Sequence, residues 1–330
     1  MKLDYLVSVY SATALIFLAA GMVAIESTAA GESAQDDWQA QAERALRLRK
    51  FDDAVNLATK AIEQKPETAE PYVIRASANA ALKRLRQAIT DLTKAIERDP
   101  RPTTYMFRGQ VNSELDEHAA ALADFDRALE LDPKVRGALR HRGRELFKMG
   151  RIDQSVAAFD KFVELEPDHE NDLWERGLSR YYLGQFALAK KSFEDYHKAG
   201  PEDIENGLWR LLSQAEIEGL PAAQEALFKY EPKRRPPFPL LHELYRGVLA
   251  PREVEAQAVQ GATDESEKRT REFYLRLYLG MWFVVNKDRA AAVRQLEQAV
   301  ALRSTDYMWY VARLQLQRLQ SPNSPGQVFK

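Results

Sequence analysis

The sequence of 330 residues contains no cysteine. That single absence excludes disulfides, thiolate metal sites, a cysteine nucleophile and acylation on a cysteine. Histidine is scarce as well. His118, His141, His169, His197 and His242 show no HExxH spacing. Neither a glycine-rich phosphate loop nor a GxSxG elbow occurs. Carboxylates are plentiful but spread along helical stretches, as salt-bridged surfaces require, rather than gathered as an active site requires. The expectation is a protein that is not an enzyme, with no catalytic residue, no metal and no cofactor. Neither sign of charge dominates: 47 basic against 49 acidic residues leave a net charge of -2. No global attraction to nucleic acid or to an anionic membrane follows, so neither is expected as a partner.

Long apolar runs are also missing, with one exception. Tyr5 to Ile25 is uncharged and mostly apolar, follows Lys2, and gives way to Ser27-Thr28-Ala29-Ala30. Two readings stand: a secretory signal cleaved near Ala30, or an uncleaved anchor long enough to span a bilayer. Both make the bulk of the chain an exported, periplasmic or envelope protein, with any membrane contact made through this segment alone.

What the chain has is a period. Helix-ending prolines stand at Pro66, Pro100, Pro133, Pro167 and Pro201, spaced 34, 33, 34 and 34 residues apart. Twelve residues before each lies Ala54, Ala88, Ala121, Ser155 or Ala189, and twelve before those lies Ala42, Ala76, Gly109, Gly143 or Gly177. Small residues at a helix crossing let two backbones close-pack, and the proline ends the second helix. Phe51, Leu85, Ile152 and Phe186 fill the gap between the helices, with His118 in that place in the third unit. Arg75, Arg108, Arg142 and Arg176 precede the small residue of each first helix, while Asp91 and Asp124 follow that of the second. Recurrence at the period marks these as structural inter-helix pairs.

The period, the spacing and the endings KAIEQKP, KAIERDP, RALELDP and KFVELEP resemble tetratricopeptide repeats (TPR). The resemblance implies an all-α, right-handed TPR helical-hairpin solenoid. Phe162 and Tyr196 stand where the second helix usually carries a small residue, which predicts an altered crossing in units four and five. After Pro201 the period fails. Helices are expected at Asp203–Glu218 and Pro221–Tyr230, then an extended turn at Lys233–Pro239, short helices around Leu240–Tyr245 and Arg252–Val259, and a polar loop at Gly261–Glu267. The spacing returns with Gly280, Ala292 and Ala299, and Tyr307–Leu319 reads as a capping helix. The organisation expected is a leader over 1–30, five units over 35–201, an irregular helical insert over 202–266, a sixth unit and C-terminal capping helix over 267–320, and a disordered tail over 321–330.

The second half also resembles the NlpI family of bacterial envelope lipoproteins. The resemblance rests on Gly177–Gly184 with Tyr181-Tyr182, on Gly207-Leu208-Trp209, and on Phe273-Tyr274-Leu275 with Tyr278-Leu279-Gly280. It implies an adaptor that docks peptidoglycan hydrolases and a protease, and a tendency to dimerise. The family's lipid-bearing cysteine is missing, so lipid anchoring does not carry over.

In a TPR solenoid the first helix of each unit faces a concave groove. In unit three the groove places are Thr103, Met106, Gln110, Ser113 and Glu114; in unit four Gly137, Arg140, Arg144, Lys148 and Met149; in unit five Asn171, Trp174, Leu178, Tyr181 and Tyr182. Arg140, Arg144 and Lys148 form one basic stripe, and Trp174 and Tyr181 are rigid aromatics of the kind that anchor interfaces. Met106, Gln110, Arg140, Arg144, Lys148, Trp174, Tyr181 and Tyr182 are therefore the partner-binding candidates, suited to an acidic, aromatic protein segment. The alternative for them is a solvated charged face beside core aromatics. The asparagine–lysine carboxylate clamp of chaperone-binding repeats is not reproduced. Lys233–Arg235 beside Pro236-Pro237 reads as a solvated linker, with a docking loop or nucleic-acid contact as the alternative. The functional expectation is a non-catalytic scaffold for envelope proteins. Its rivals are a self-assembling structural subunit, such as a homodimer, and an enzyme with a site in the 202–266 insert.

Overall fold

The computed structural model describes residues 37–230, 236–304 and 306–321. The leader, the Lys233–Arg235 cluster and the tail beyond Ser321 lie outside them. Among the described residues there are seventeen α-helices and no strand, and no helix is long and apolar enough to cross a membrane. The chain divides into two compact lobes, an N-terminal lobe ending at Glu145 and a C-terminal lobe beginning at Leu146.

Five hairpins come first: α1 (Trp38–Arg47) with α2 (Phe51–Gln64), α3 (Glu70–Ala81) with α4 (Leu85–Arg98), α5 (Pro102–Glu114) with α6 (His118–Leu131), α7 (Ala138–Lys148) with α8 (Ile152–Leu165), and α9 (Trp174–Tyr182) with α10 (Phe186–Ala199). A 3-10 turn at Pro167–Asp172 separates the fourth from the fifth. Each hairpin turns in the same way. Arg49, Lys83 and Asp116 (φ 60°), Gly150 (φ 75°) and Gly184 (φ 80°) hold the left-handed conformation just past the first helix. The next amide then reaches back five residues, as Lys50 N does to Ala45 O (2.9 Å) and Arg84 N to Asn79 O (2.8 Å). This Schellman closure satisfies carbonyls that the helix end leaves open.

The small residues do what their spacing implies. A Cβ on Gly109 would stand 2.7 Å from Phe125, and one on Gly177 would stand 2.8 Å from Phe193. Both aromatic rings lie sixteen residues on, fully buried in the second helix. In the second repeat the same places hold Ala76 and Leu92, both in one core cluster. A larger first residue meets a smaller second one.

The recurrent arginines pair between helices. Arg75 forks onto Asp91 (2.7 and 2.9 Å), and Arg108 onto Asp124 (2.7 and 3.1 Å), in each case the following second helix. Asn112 adds a third bond to Asp124 at 3.0 Å. Arg142 turns the other way, to Asp126 on the preceding second helix (2.6 Å), and Arg176 does the same with Asp160 (2.7 Å). The carboxylate has changed sides while the arginine has kept its place.

Beyond Pro201 lie α11 (Ile204–Glu218), α12 (Leu220–Glu225), α13 (Phe238–Tyr245) and α14 (Pro251–Gln257). Helix α12 ends five residues before Tyr230, and Ala226–Tyr230 is a non-helical strap. The expected loop at Gly261–Glu267 is shorter than its polarity suggests. Asp264 accepts the Glu267 amide (2.8 Å) and starts α15 (Glu265–Val285) inside it. Helix α15 and α16 (Arg289–Ala301) form a sixth hairpin with the same left-handed turn, at Lys287 (φ 61°). The final helix is α17 (Tyr307–Gln320), capped by Asp306.

Candidate protein-binding faces

The inner floor of the N-terminal lobe is made by α3, α5 and the start of α7. Met106 on α5, offered to a partner by the sequence, is buried instead in a core cluster with Ala121 and Phe125, as Ala80 on α3 is with Ala76 and Leu92. Gln110 on α5 meets His141 on α7 at 3.0 Å, and the His141 ring stacks on Phe125 with centroids 5.3 Å apart. Glu145 is almost wholly buried, accepts the Ser113 hydroxyl at 2.7 Å and lies 2.8 Å from His118 Nδ1. That pairing explains the histidine in a place the other repeats give to an apolar side chain: it gives a hydrogen-bond partner to a carboxylate that would otherwise be costly to bury. Both bonds end on the carboxylate, which builds a structural clamp rather than a nucleophile with its base. Arg140 and Arg144 are half-buried on α7 and share its surface with this clamp.

The C-terminal lobe uses its equivalent residues differently. Tyr181 and Tyr182 are buried, at 4% and 2% exposure. Tyr181 packs edge-on to Trp209 (5.3 Å) and Phe186 (5.5 Å), and its hydroxyl reaches Glu216 at 3.4 Å. Tyr182 donates to the Val311 carbonyl of α17, and Arg318 of α17 in turn donates to the Tyr182 carbonyl. Trp174 sits edge-on to Tyr307 at 5.2 Å, and the Lys148 ammonium lies 5.3 Å from the Tyr310 ring. Four residues offered to a partner by the sequence reading, Lys148, Trp174, Tyr181 and Tyr182, are thus engaged by the chain itself. Helix α17 lies on Lys148, Trp174 and Tyr182, burying Tyr307, Met308, Tyr310 and Val311.

One groove place of the fourth unit falls on a different residue from the one expected. Counting to Lys148 and Met149 passes over Phe147, which is buried and stacks on Tyr307 at 5.0 Å. The fixed period of the other units held the signal for it, since Phe147 lies 34 residues before Tyr181.

Behind the tyrosines is a buried polar chain. Trp209 Nε1 donates to the Tyr278 hydroxyl (2.9 Å), which donates to Glu205 (2.5 Å), and Tyr245 donates to the Tyr278 carbonyl (2.9 Å). Burial pushes the Tyr181, Tyr182, Tyr245 and Tyr278 phenols well up, so they are neutral donors and not bases. Burial also raises the Glu216 carboxyl, against the bond from Tyr181. Among the described residues no group of three or more histidines and carboxylates is arranged to hold a metal ion.

Comparison with known proteins agrees with this architecture. Tetratricopeptide-repeat family models match residues 40–101, 82–136 and 141–169. The chain carries tetratricopeptide repeats. A protein SGT1 homolog from Oryza sativa subsp. japonica is 41% identical over 68 residues, which are 21% of this chain and 18% of that protein. The likeness therefore spans under a fifth of that relative's length. Two solved structures share the fold over most of the chain. A tetratricopeptide repeat protein from Parabacteroides merdae superposes with a TM-score of 0.53 at 13% identity, over 86% of this chain and 98% of that one. The C-terminal part of a TPR repeat-containing protein from Cytophaga hutchinsonii gives 0.51 at 16% identity, over 83% and 98%.

Proposed function

We propose that this chain is a non-catalytic adaptor that holds segments of other proteins on the inner face of its N-terminal lobe. The observation that carries the reading is the contrast between the lobes. In the C-terminal lobe α17 lies on Phe147, Trp174 and Tyr182. In the N-terminal lobe Gln110, Arg140 and Arg144 keep part of their surface exposed, although Met106 is as buried as Tyr181. The Arg140–Arg144 surface of α7 favours acidic side chains on that partner. The apolar leader and the likeness of the second half to envelope lipoproteins suggest an exported protein whose partners are cell-wall hydrolases or proteases.

In-cell crosslinking and recovery tests this reading, using the intact chain beside Arg140→Glu with Arg144→Glu. Trp174 is unsuitable as a probe because it packs against Tyr307. Partners recovered by the intact chain and lost with the charge reversal support the N-terminal face. An unchanged set refutes it.

The second reading is a self-assembling subunit, favoured by the fact that one set of groove residues is already covered from within. Light scattering over a dilution series separates the two. A dimer that persists on dilution, with no foreign protein recovered, supports self-assembly.

A further inference from the structure

The strap Ala226–Tyr230 joins α12 to the segment before α13 and lies on α10 and α11. Side chains of α11 and α13 hold it. Arg210 Nη1 donates to the Ala226 carbonyl (2.6 Å), and His242 Nε2 lies 2.9 Å from the Phe228 carbonyl. The Phe228 ring lies flat on His197, with centroids 3.8 Å apart and planes at 7°, and the Arg210 guanidinium is 4.7 Å from the same ring. Tyr230 stands edge-on to His197 (6.0 Å) and His242 (5.3 Å). A side chain on Gly207 would overlap the Tyr230 hydroxyl, so the Tyr230 ring as docked occupies the space that glycine leaves.

We infer that this strap is a proton-released latch, docked while His197 is neutral and freed when it is protonated. The argument is first geometric. His197 Nδ1 is buried with no hydrogen-bond partner, so a proton added there meets no acceptor. Its charged neighbours are Arg210 from α11 and Asp203 ahead of α11, with Glu194 on its own helix paired to Arg210 at 3.2 Å. From α13, His242 faces the strap with Glu243 3.2 Å from its Nδ1. Burial, then Arg210, pull the His197 pKa down, and Asp203 opposes them only in part.

The sign follows from linkage. A histidine whose pKa is lowered on docking holds a proton more tightly once undocked. Docking is therefore complete above about pH 6.5, the ordinary histidine value, and weakens as pH falls below it. The flat response expected of His197→Phe is what separates His197 from His242, whose Nε2–H donates to the Phe228 carbonyl. One proton limits the effect to about tenfold in the docking equilibrium per pH unit.

The absence of cysteine makes the test direct. Leu227→Cys, buried at 9% exposure, reports strap opening by its rate of reaction with a disulfide reagent active in acid; exposed Lys229→Cys gives the reference rate. The expected result is a ratio of the two rates that rises severalfold from about pH 7.5 to about pH 5.5, and stays flat when His197→Phe is added. A flat ratio in the parent, or an undiminished rise with His197→Phe, overturns the inference. The unaltered chain supplies an independent check: an NMR titration of His197 with its midpoint at or above that of a free imidazole also overturns it.

Discussion

Consider Gly177→Ala. The new methyl would stand 2.8 Å from both Cε1 and Cζ of Phe193 and 3.3 Å from Cδ1. Carbon atoms in contact prefer about 3.5–4.0 Å, so the ring must give by most of an ångström. It has nowhere free to go, being 1% exposed and stacked on Trp209 with centroids 6.4 Å apart. Overpacking of this kind costs about 1–3 kcal/mol, and replacing a helical glycine by alanine returns up to about 1 kcal/mol. The net expectation is a loss of about 1–2 kcal/mol. Phe193→Leu alone should lose about 1–1.5 kcal/mol as a near-conservative core change. Combined, the two substitutions recreate the pairing that the second repeat uses natively in Ala76 and Leu92. The double variant should therefore be more stable than the sum of the singles by at least about 1 kcal/mol. Urea denaturation followed by circular dichroism of all four proteins closes the cycle. Additive losses, or a double variant worse than additive, would refute size complementarity as the reason for glycine here.

Four further outcomes are expected. Lys287→Gly relieves a left-handed residue (φ 61°) at the sixth hairpin and should stabilise the C-terminal lobe by about 0.5–1 kcal/mol in the same denaturation assay. Arg108→Met strips the fork from Asp124, whose side chain is only 6% exposed, and should cost about 2–4 kcal/mol; adding Asp124→Asn should recover part of it. Tyr307→Ala removes the ring that meets Phe147 and Trp174, and should lower C-terminal-lobe stability by about 3 kcal/mol while leaving the N-terminal helices protected in amide exchange. The hydroxyl and amide of Thr263, then Arg271, hold the Glu267 carboxyl at about 2. The start of α15 should therefore keep full protection above about pH 4.5 and lose it as pH falls towards 2, a dependence that Glu267→Gln should abolish in amide exchange.

The repeats were legible because each rests on local rules repeated at a fixed spacing. The small residue, the turn and the proline act within one hairpin, so Ala54, Ala88 and Gly109 are readable without knowing anything distant. The left-handed turns were less legible. Four of six carry Arg, Lys or Asp rather than glycine, since the closing bonds hold the backbone there whatever the side chain. The candidate site failed where the answer was not local. Nothing near Tyr181-Tyr182 in the sequence says that Val311 and Arg318 will cover Tyr182, or that Trp209 will pack on Tyr181. Trp174 likewise reads as an interface anchor until Tyr307 is seen beside it. An exposed aromatic and a buried one look alike in a string of residues, and only the returning helix separates them. The strap was missed for the opposite reason: Pro221–Tyr230 has a helical composition, yet the side chains of Phe228 and Tyr230 gain more by reaching His197 than by continuing α12.

The seat of α17 also sets an order of events during synthesis. The hairpins of the N-terminal lobe close over contacts such as Arg75 with Asp91, sixteen residues apart, and each can form as soon as its own chain has emerged. The C-terminal lobe has local hairpins too, but one of its faces must wait for a distant helix. Tyr182 is covered by Val311, 129 residues later, and by Arg318, 136 residues later. Until that helix exists, Phe147, Trp174 and Tyr182 form an open apolar surface, and closing the loop is slow compared with forming a local hairpin. The protein is therefore assembled from a half that folds as it is made and a half that waits for its last helix, and aggregation or chaperone capture should act on the second during that wait.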